Sequence, residues 1–185
     1  MIITISGPPG SGKDTTAEHI SKKLNIPIIS MGNLKREFAK EKSMTIEEFN
    51  TWCDENPKEG DYAFDEYQRK YGLDNNHFIM VSRLGWHFIP HSKKIYVDVS
   101  LEEGARRIFE QKQISNARNE HLVESVEEQI KLNEERIRTD ADRYQRIYGI
   151  NPFKHEHYDV VVDSTKLTIQ EKVEKILELI KELED

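Results

Sequence analysis

Apolar residues gather in five short runs along the chain: Ile2–Ser6, Pro27–Ser30, Phe78–Ser82, Lys94–Val99 and Tyr158–Asp163. Each has the length of a strand, and stretches with helical spacing separate them. The pattern predicts a parallel sheet covered by helices on both faces. Several helix starts carry their own signal. Thr45 with Glu48, Ser100 with Glu103 and Thr168 with Glu171 each fit a capping box, in which hydroxyl and carboxylate reciprocally satisfy free backbone N–H groups. After Thr168, Val173, Ile176, Leu177, Ile180 and Leu183 recur at helical spacing. That last helix is expected to pack on the sheet, with no function assigned to it.

Two intervals, Asn33–Asn76 and Leu101–His157, are too long for simple crossovers and are expected to carry helical insertions. No repeat or Pro/Gly-rich linker divides the chain. The expectation is a single domain over residues 1–185, with insertions at about 33–76 and about 109–135.

Composition narrows the function classes. Of 185 residues 33% are charged and the net charge is −7, which argues for a soluble protein and against non-specific nucleic-acid binding. The single cysteine, Cys53, excludes an internal disulfide framework and suits a reducing compartment. No signal peptide or membrane span is read, since Ile2–Ile5 is short and Gly7 follows at once. A cytoplasmic monomer without nucleic-acid or membrane partners is the expectation.

The chemistry starts at the first strand's end. Gly7-Pro8-Pro9-Gly10-Ser11-Gly12-Lys13 matches the first seven positions of the P-loop pattern, with a strand before it and a helix after. Glycines let consecutive backbone N–H groups converge on a phosphate. The helix beginning near Lys13 adds the positive end of its dipole, and Lys13 reaches the β- and γ-phosphates. Asp14 stands where a Ser or Thr hydroxyl commonly meets Mg²⁺; Thr15 and Thr16 follow and offer hydroxyls of their own. A carboxylate at that slot either assists the metal or, uncompensated, repels a phosphate.

Beyond this turn the chain resembles the nucleoside monophosphate kinases, most of all the archaeal-type (type 2) cytidylate kinases. The resemblance is carried by ISGPPGSGKDT, IISMGNLKREFAKEKSMTIEEFN, RLGW, ARRI, ERIRTDADRYQRIYGIN and YDVVVDST, spread over nearly the whole length. It implies a three-layer P-loop fold with a five-stranded parallel sheet of order 2-3-1-4-5. It also implies phosphoryl transfer from ATP to CMP or dCMP with Mg²⁺, the acceptor seated in the first insertion and a lid in the second. Closure near Gln111–Glu120 would then exclude water.

The resemblance also suggests roles residue by residue. Arg36, after Ser30 and Gly32, and Arg83, at the end of the third strand, are similar to arginines that grip the acceptor's phosphate, a task suited to a bidentate donor. Asp65 and Arg69 resemble a pair that reads the cytosine edge, though at i, i+4 they also fit a plain surface ion pair. Arg136, Arg143 and Arg146 fall on one helical face, and Ile130, Ile137, Tyr144 and Tyr148 on another. The arginines' implied task is to neutralise charge on the transferred group. Arg107 and Lys166 are similar to residues flanking the donor base.

Two departures stand out. The third strand ends Ile79-Met80-Val81-Ser82-Arg83, without the acid that family members often place before the Arg, and Gln111 stands where they place a further Arg. Asp14, or Asp98 at the end of the fourth strand, is a candidate for the missing acid's part beside the metal. The rival readings are a kinase of another acceptor, such as AMP or a small metabolite, and an ATP-binding module without transfer activity. The histidines His87, His91, His155 and His157 show no zinc-ligand pairing with Cys53, and Trp52 and Trp86 are read as packing residues.

Overall fold

The computed structural model describes residues 1–114 and 123–183. Five strands form one parallel sheet: β1 (Ile2–Ser6), β2 (Ile28–Ser30), β3 (Phe78–Val81), β4 (Lys93–Asp98) and β5 (Val160–Asp163), in the order β2-β3-β1-β4-β5. All five expected runs are strands, with ends displaced by a residue or two as strand termini commonly are. Between them lie α1 (Lys13–Leu24), α2 (Met31–Glu41), α3 (Ile46–Glu55), α4 (Asp61–Asp74), α5 (Gly85–Phe88), α6 (Leu101–Ile114) and α7 (Val126–Tyr148), and α8 (Ile169–Glu182) closes the order.

The sheet separates two cores, because successive side chains of a strand point to opposite faces. On one face Ile3, Ile5, Ile95, Val97 and Val162 meet Ala17 and Ile20 of α1 and Val173, Ile176 and Ile180 of α8. On the other, Ile2, Phe78 and Met80 meet Met31, Phe49, Phe64, Phe88 and Tyr144 from α2, α3, α4, α5 and α7. Thr4, on that second face, satisfies its hydroxyl against Ser92 at 2.9 Å. The last helix therefore packs on the sheet as its spacing predicts, except that Leu183 lies beyond its end and is exposed.

Local signals explain most helix starts. Both halves of the capping box form at Thr45–Glu48 and at Thr168–Glu171. The third expected box is only half made. The Glu103 N–H donates to the Ser100 hydroxyl at 3.2 Å, but the Glu103 carboxylate is taken by Arg106 and Arg107, and the Ser100 N–H turns to Thr165. Two guanidiniums are stronger partners for a carboxylate than one amide.

The two long intervals hold α2–α4, between β2 and β3, and α6–α7, between β4 and β5, with α6 packed along α7. Residues 115–122 of the expected lid segment, and with them most of Gln111–Glu120, lie outside the described residues. Among the described residues no helix is long and apolar enough to cross a membrane. β1 and β3 lead directly into the site at their carboxyl ends, where an open parallel sheet places its ligands.

Candidate functional site

The β1–α1 turn folds as its glycines require. Gly10 has φ +78°, and a Cβ there would lie 2.1 Å from the Gly104 carbonyl oxygen of α6. Only glycine fits this close approach. Gly12, with φ +73°, is the N-cap of α1 and offers no side chain to cap it. A helix N-terminus without a side-chain cap, carrying the positive end of the helix dipole, is the arrangement that receives an anion. Lys13 and Asp14 stand beside this turn with Nζ 3.6 Å from the carboxylate, and Asp14 Oδ1 accepts the Ser30 hydroxyl at 2.8 Å.

In front of the turn opens a cleft of about 480 Å³. Its walls carry Ser30, Gly32 and Arg36 from β2 and α2, Asp65 and Gln68 from α4, Arg83 after β3, and Arg136 and Arg143 from α7. Arg36 donates to Asn33 Oδ1 at 2.5 Å. Arg83 donates through Nη1 to the Gly7 carbonyl and through Nε to Asp140 at 2.9 Å, its guanidinium lying over the Phe153 ring. Arg143 lies between Asp140 at 3.5 Å and Asp61 at 3.4 Å, and donates to the Tyr144 hydroxyl at 3.0 Å. Burial opposes its charge, but Tyr144 and the acids Asp140, Asp61 and Asp54 outweigh burial and raise its already high pKa. Among the described residues nothing accepts from its Nε or from the Asn133 amide nitrogen, both buried at the cleft. Burying such donors is costly unless something accepts from them.

Several expected residues lie elsewhere. Arg69 is not brought into the cleft: it is half-exposed, with Glu66 at 3.7 Å and its guanidinium over the Phe88 ring. Asp65, by contrast, stays on the cleft wall, accepting from Gln68 Nε2 at 3.3 Å and from the Tyr148 hydroxyl. Burial pushes its carboxyl above the ordinary 3.8, and the Tyr148 hydrogen bond only partly offsets this. Arg146 is exposed and does not line the cleft, unlike Arg136 and Arg143. Thr15 is exposed, and the buried Thr16 spends its hydroxyl on the Gly12 carbonyl at 2.8 Å.

Asp98 faces a second, smaller cavity of about 260 Å³ on the other side of Pro9. There its Oδ2 stands 3.1 Å from His155 Nε2, apart from Asp14. Arg107 ties α6 to the turn after β5 through the carbonyls of Ser164 and Thr165, next to the exposed Lys166. Where β3 lacks an acid, Ser82 donates to Gln68 Oε1 at 2.5 Å. Gln111 is exposed, but Lys112 beside it reaches the cleft and donates to Gln129 at 3.0 Å.

A P-loop floor under a wall of arginines suggests transfer of a phosphoryl group, and the relatives decide the class. The model of the cytidylate kinase-like family matches residues 2–166. The chain belongs to the cytidylate kinase-like family. The cytidylate kinase of Methanospirillum hungatei is 35% identical over 172 residues, 92% of this chain and 91% of that one. That of Methanothermobacter thermautotrophicus is 32% identical over 166 residues, 90% and 96% of the two chains. The shikimate kinase of Aquifex aeolicus superposes with a TM-score of 0.59 at 18% identity, covering 98% and 96% of the chains. It shares the P-loop kinase fold alone. Family membership makes this chain a kinase, and the resemblance drawn from its quoted segments is borne out.

Within this kinase frame the sequence left four side chains unnoticed. Gln68 and Asp140 read as ordinary polar helix positions. Lys35 is paired with Asp61 at 2.7 Å, which holds its pKa up against burial. Lys172, only 3% exposed, donates to the Ser11 carbonyl at 3.0 Å. For Asp140 the only sequence hint was its place one helical turn from both Arg136 and Arg143.

Proposed function

We propose that the chain transfers the γ-phosphoryl group of ATP to CMP and dCMP, giving ADP and the nucleoside diphosphate. The observation that carries this reading is a shared cleft in which Pro9, Gly10 and Lys13 of the turn face Arg36, Arg83 and Asp65. The curated relatives named above are cytidylate kinases over nine-tenths of this chain.

The donor's phosphates lie on the turn, held by its amides and Lys13. The acceptor lies among α2, α3 and α4, in the 33–76 segment, its phosphate gripped by Arg36 and Arg83. An oxygen of that phosphate, already anionic, forms the new bond to the γ-phosphorus as the bond to the β-phosphate oxygen breaks, so no general base is needed. Arg136 and Arg143 offset the charge spread over the transferred group. Asp65 accepts from the cytosine's exocyclic amine. Each of its oxygens accepts one hydrogen bond within the protein, and a carboxylate has about four lone pairs in all. The segment around 109–135 closes over the site and limits hydrolysis of the donor.

Among the described residues no group of three or more His, Cys, Asp or Glu side chains is gathered to hold a metal. Asp14, at the mouth of the phosphate turn and oriented by the Ser30 hydroxyl, fits Mg²⁺, which is commonly held by one or two carboxylates, substrate phosphates and waters. Asp14, steadied by Ser30, is the residue that would hold it, and the ion would supply charge neutralisation at the β- and γ-oxygens. The kinase works as a cytoplasmic monomer.

A coupled assay of ADP release across CMP, dCMP, UMP, AMP and GMP tests the proposal. CMP and dCMP are expected to stimulate turnover far above the rest. Turnover stimulated best by AMP, or by none of the five, overturns it.

A further inference from the structure

Behind the phosphate turn, on the side away from the cleft, α8 brings a lysine into the protein interior. Lys172 is 3% exposed and its ammonium donates to the Ser11 carbonyl at 3.0 Å. The Ser164 hydroxyl reaches the same oxygen at 3.3 Å. The contact is close on the other side of the peptide unit too: a Cβ on Gly12 would lie 2.9 Å from Lys172 Nζ. Among the described residues no carboxylate forms an ion pair with Lys172. The charged group that faces it is another cation, Arg107 of α6, itself engaged by Glu103 at 2.8 Å.

A buried ammonium with one carbonyl partner and a neighbouring guanidinium is a poor stability device, since desolvation is not offset by an opposite charge. Its position suggests what it serves. The Ser11–Gly12 peptide is trans, so its N–H points opposite to its C=O. A cation drawing on the carbonyl therefore fixes the Gly12 N–H toward the far side, where α1 begins, and polarises it as a donor.

We infer that Lys172 is a positioning residue for the donor's phosphates: it locks the Ser11–Gly12 peptide in its phosphate-facing orientation and lends a buried positive charge from behind the turn. This rests on the reading of the Gly7–Lys13 turn as the donor site. The lysine does not touch the nucleotide and acts through the loop.

The charge state supplies a signature. Burial, with Arg107 adding to it, lowers the Lys172 pKa to about 8. A bound polyphosphate favours the ammonium, so nucleotide binding takes up a proton once the solution is more alkaline than that value. Below it both states are charged and affinity does not depend on this group.

The test is calorimetric binding of ATP with Mg²⁺, without acceptor, to the full chain between pH 7 and pH 9.5. The wild type is expected to hold its affinity to about pH 8 and then lose up to about tenfold per unit. Lys172→Met is expected to bind about tenfold more weakly at pH 7, with a flat profile. Lys172→Arg keeps near wild-type affinity and is also flat, because a guanidinium stays charged. At saturating ATP the KM for the acceptor is unchanged in both variants. A folded Lys172→Met with wild-type affinity and profile overturns the inference while leaving the donor site intact. Should that variant not fold, a flat wild-type profile, or a Lys172→Arg profile declining in parallel with the wild type, overturns it equally. Absence of ATP binding by the wild type at every pH removes the donor-site reading itself.

Discussion

One oxygen atom, the hydroxyl of Ser30, joins the two halves of the cleft. It donates to Asp14 Oδ1 at 2.8 Å and accepts the Asn33 N–H at 3.3 Å as the N-cap of α2. The acid beside Lys13 is thereby oriented by the same residue that starts the helix bearing Arg36. Ser30→Ala removes both bonds. The cap alone is worth about 1 kcal/mol, so the melting temperature is expected to fall by about 2–4 °C. If Asp14 serves the metal, the same variant requires severalfold more Mg²⁺ for half-maximal kcat/KM, and Ser30→Thr, which keeps a hydroxyl, restores most of it. A Mg²⁺ titration identical to wild type would show that the Asp14 orientation has no bearing on the metal.

Asp65 gives a prediction about specificity and pH. The ionised carboxylate accepts from an exocyclic amine more strongly than the neutral acid does, and burial holds its pKa above 3.8. Affinity for CMP is therefore expected to fall as the solution is acidified through that raised value, while affinity for ATP does not. Asp65→Asn should flatten this acid limb. It should also narrow the preference for CMP over UMP, since a buried carboxylate rejects a carbonyl far more strongly than an amide does. The measurement is kcat/KM for both acceptors between pH 5 and pH 8. An unchanged CMP-to-UMP ratio would place the base elsewhere. Gln68 is held by Ser82 and bonds to Asp65, so if Asp65 reads the base, Gln68→Ala should weaken CMP through KM more than kcat.

The contrast between Asp65 and Arg69 shows how far sequence alone reaches. Strands and most helix starts were legible because period-2 and period-3.6 patterns and capping boxes are local, each decided within a few residues. The glycine turn was legible because its backbone demands are local too. Which face of α4 meets the cleft is not local. Positions i+3 and i+4 from Asp65 both neighbour it on a helix, and only the arrival of Ser82, just after β3, and of Phe88 from α5 turns Gln68 inward and Arg69 outward. Lys172 was hidden for the same reason. It borders the apolar face of α8, one turn before Ile176, where a lysine ordinarily extends its ammonium to water, and the phosphate turn passing over the start of α8 buries it instead.

Asp140 carries the last prediction, because it links the arginines proposed to act on the acceptor and the transferred group. It stands 2.9 Å from Arg83 and 3.5 Å from Arg143. Burial would raise its pKa, but the guanidiniums of Arg83, Arg143 and Arg136 outweigh burial and hold it below the ordinary 3.8. A carboxyl whose folded pKa lies below its unfolded one contributes stability that is full above the unfolded value and is lost as the pH falls through the folded value. Asp140→Asn keeps the shape and removes the charge, leaving two largely buried guanidiniums under-compensated. Denaturant unfolding at pH 7 should show a loss of about 2–4 kcal/mol, and this difference from wild type should shrink as the pH drops below the ordinary carboxylate range. Kinetics then separate two roles. If Asp140 positions Arg83 for the acceptor's phosphate, the variant loses about a hundredfold in kcat/KM for CMP while the KM for ATP barely moves. If it merely competes with that phosphate for Arg83, the acceptor binds more tightly in the variant, and the positioning role is excluded.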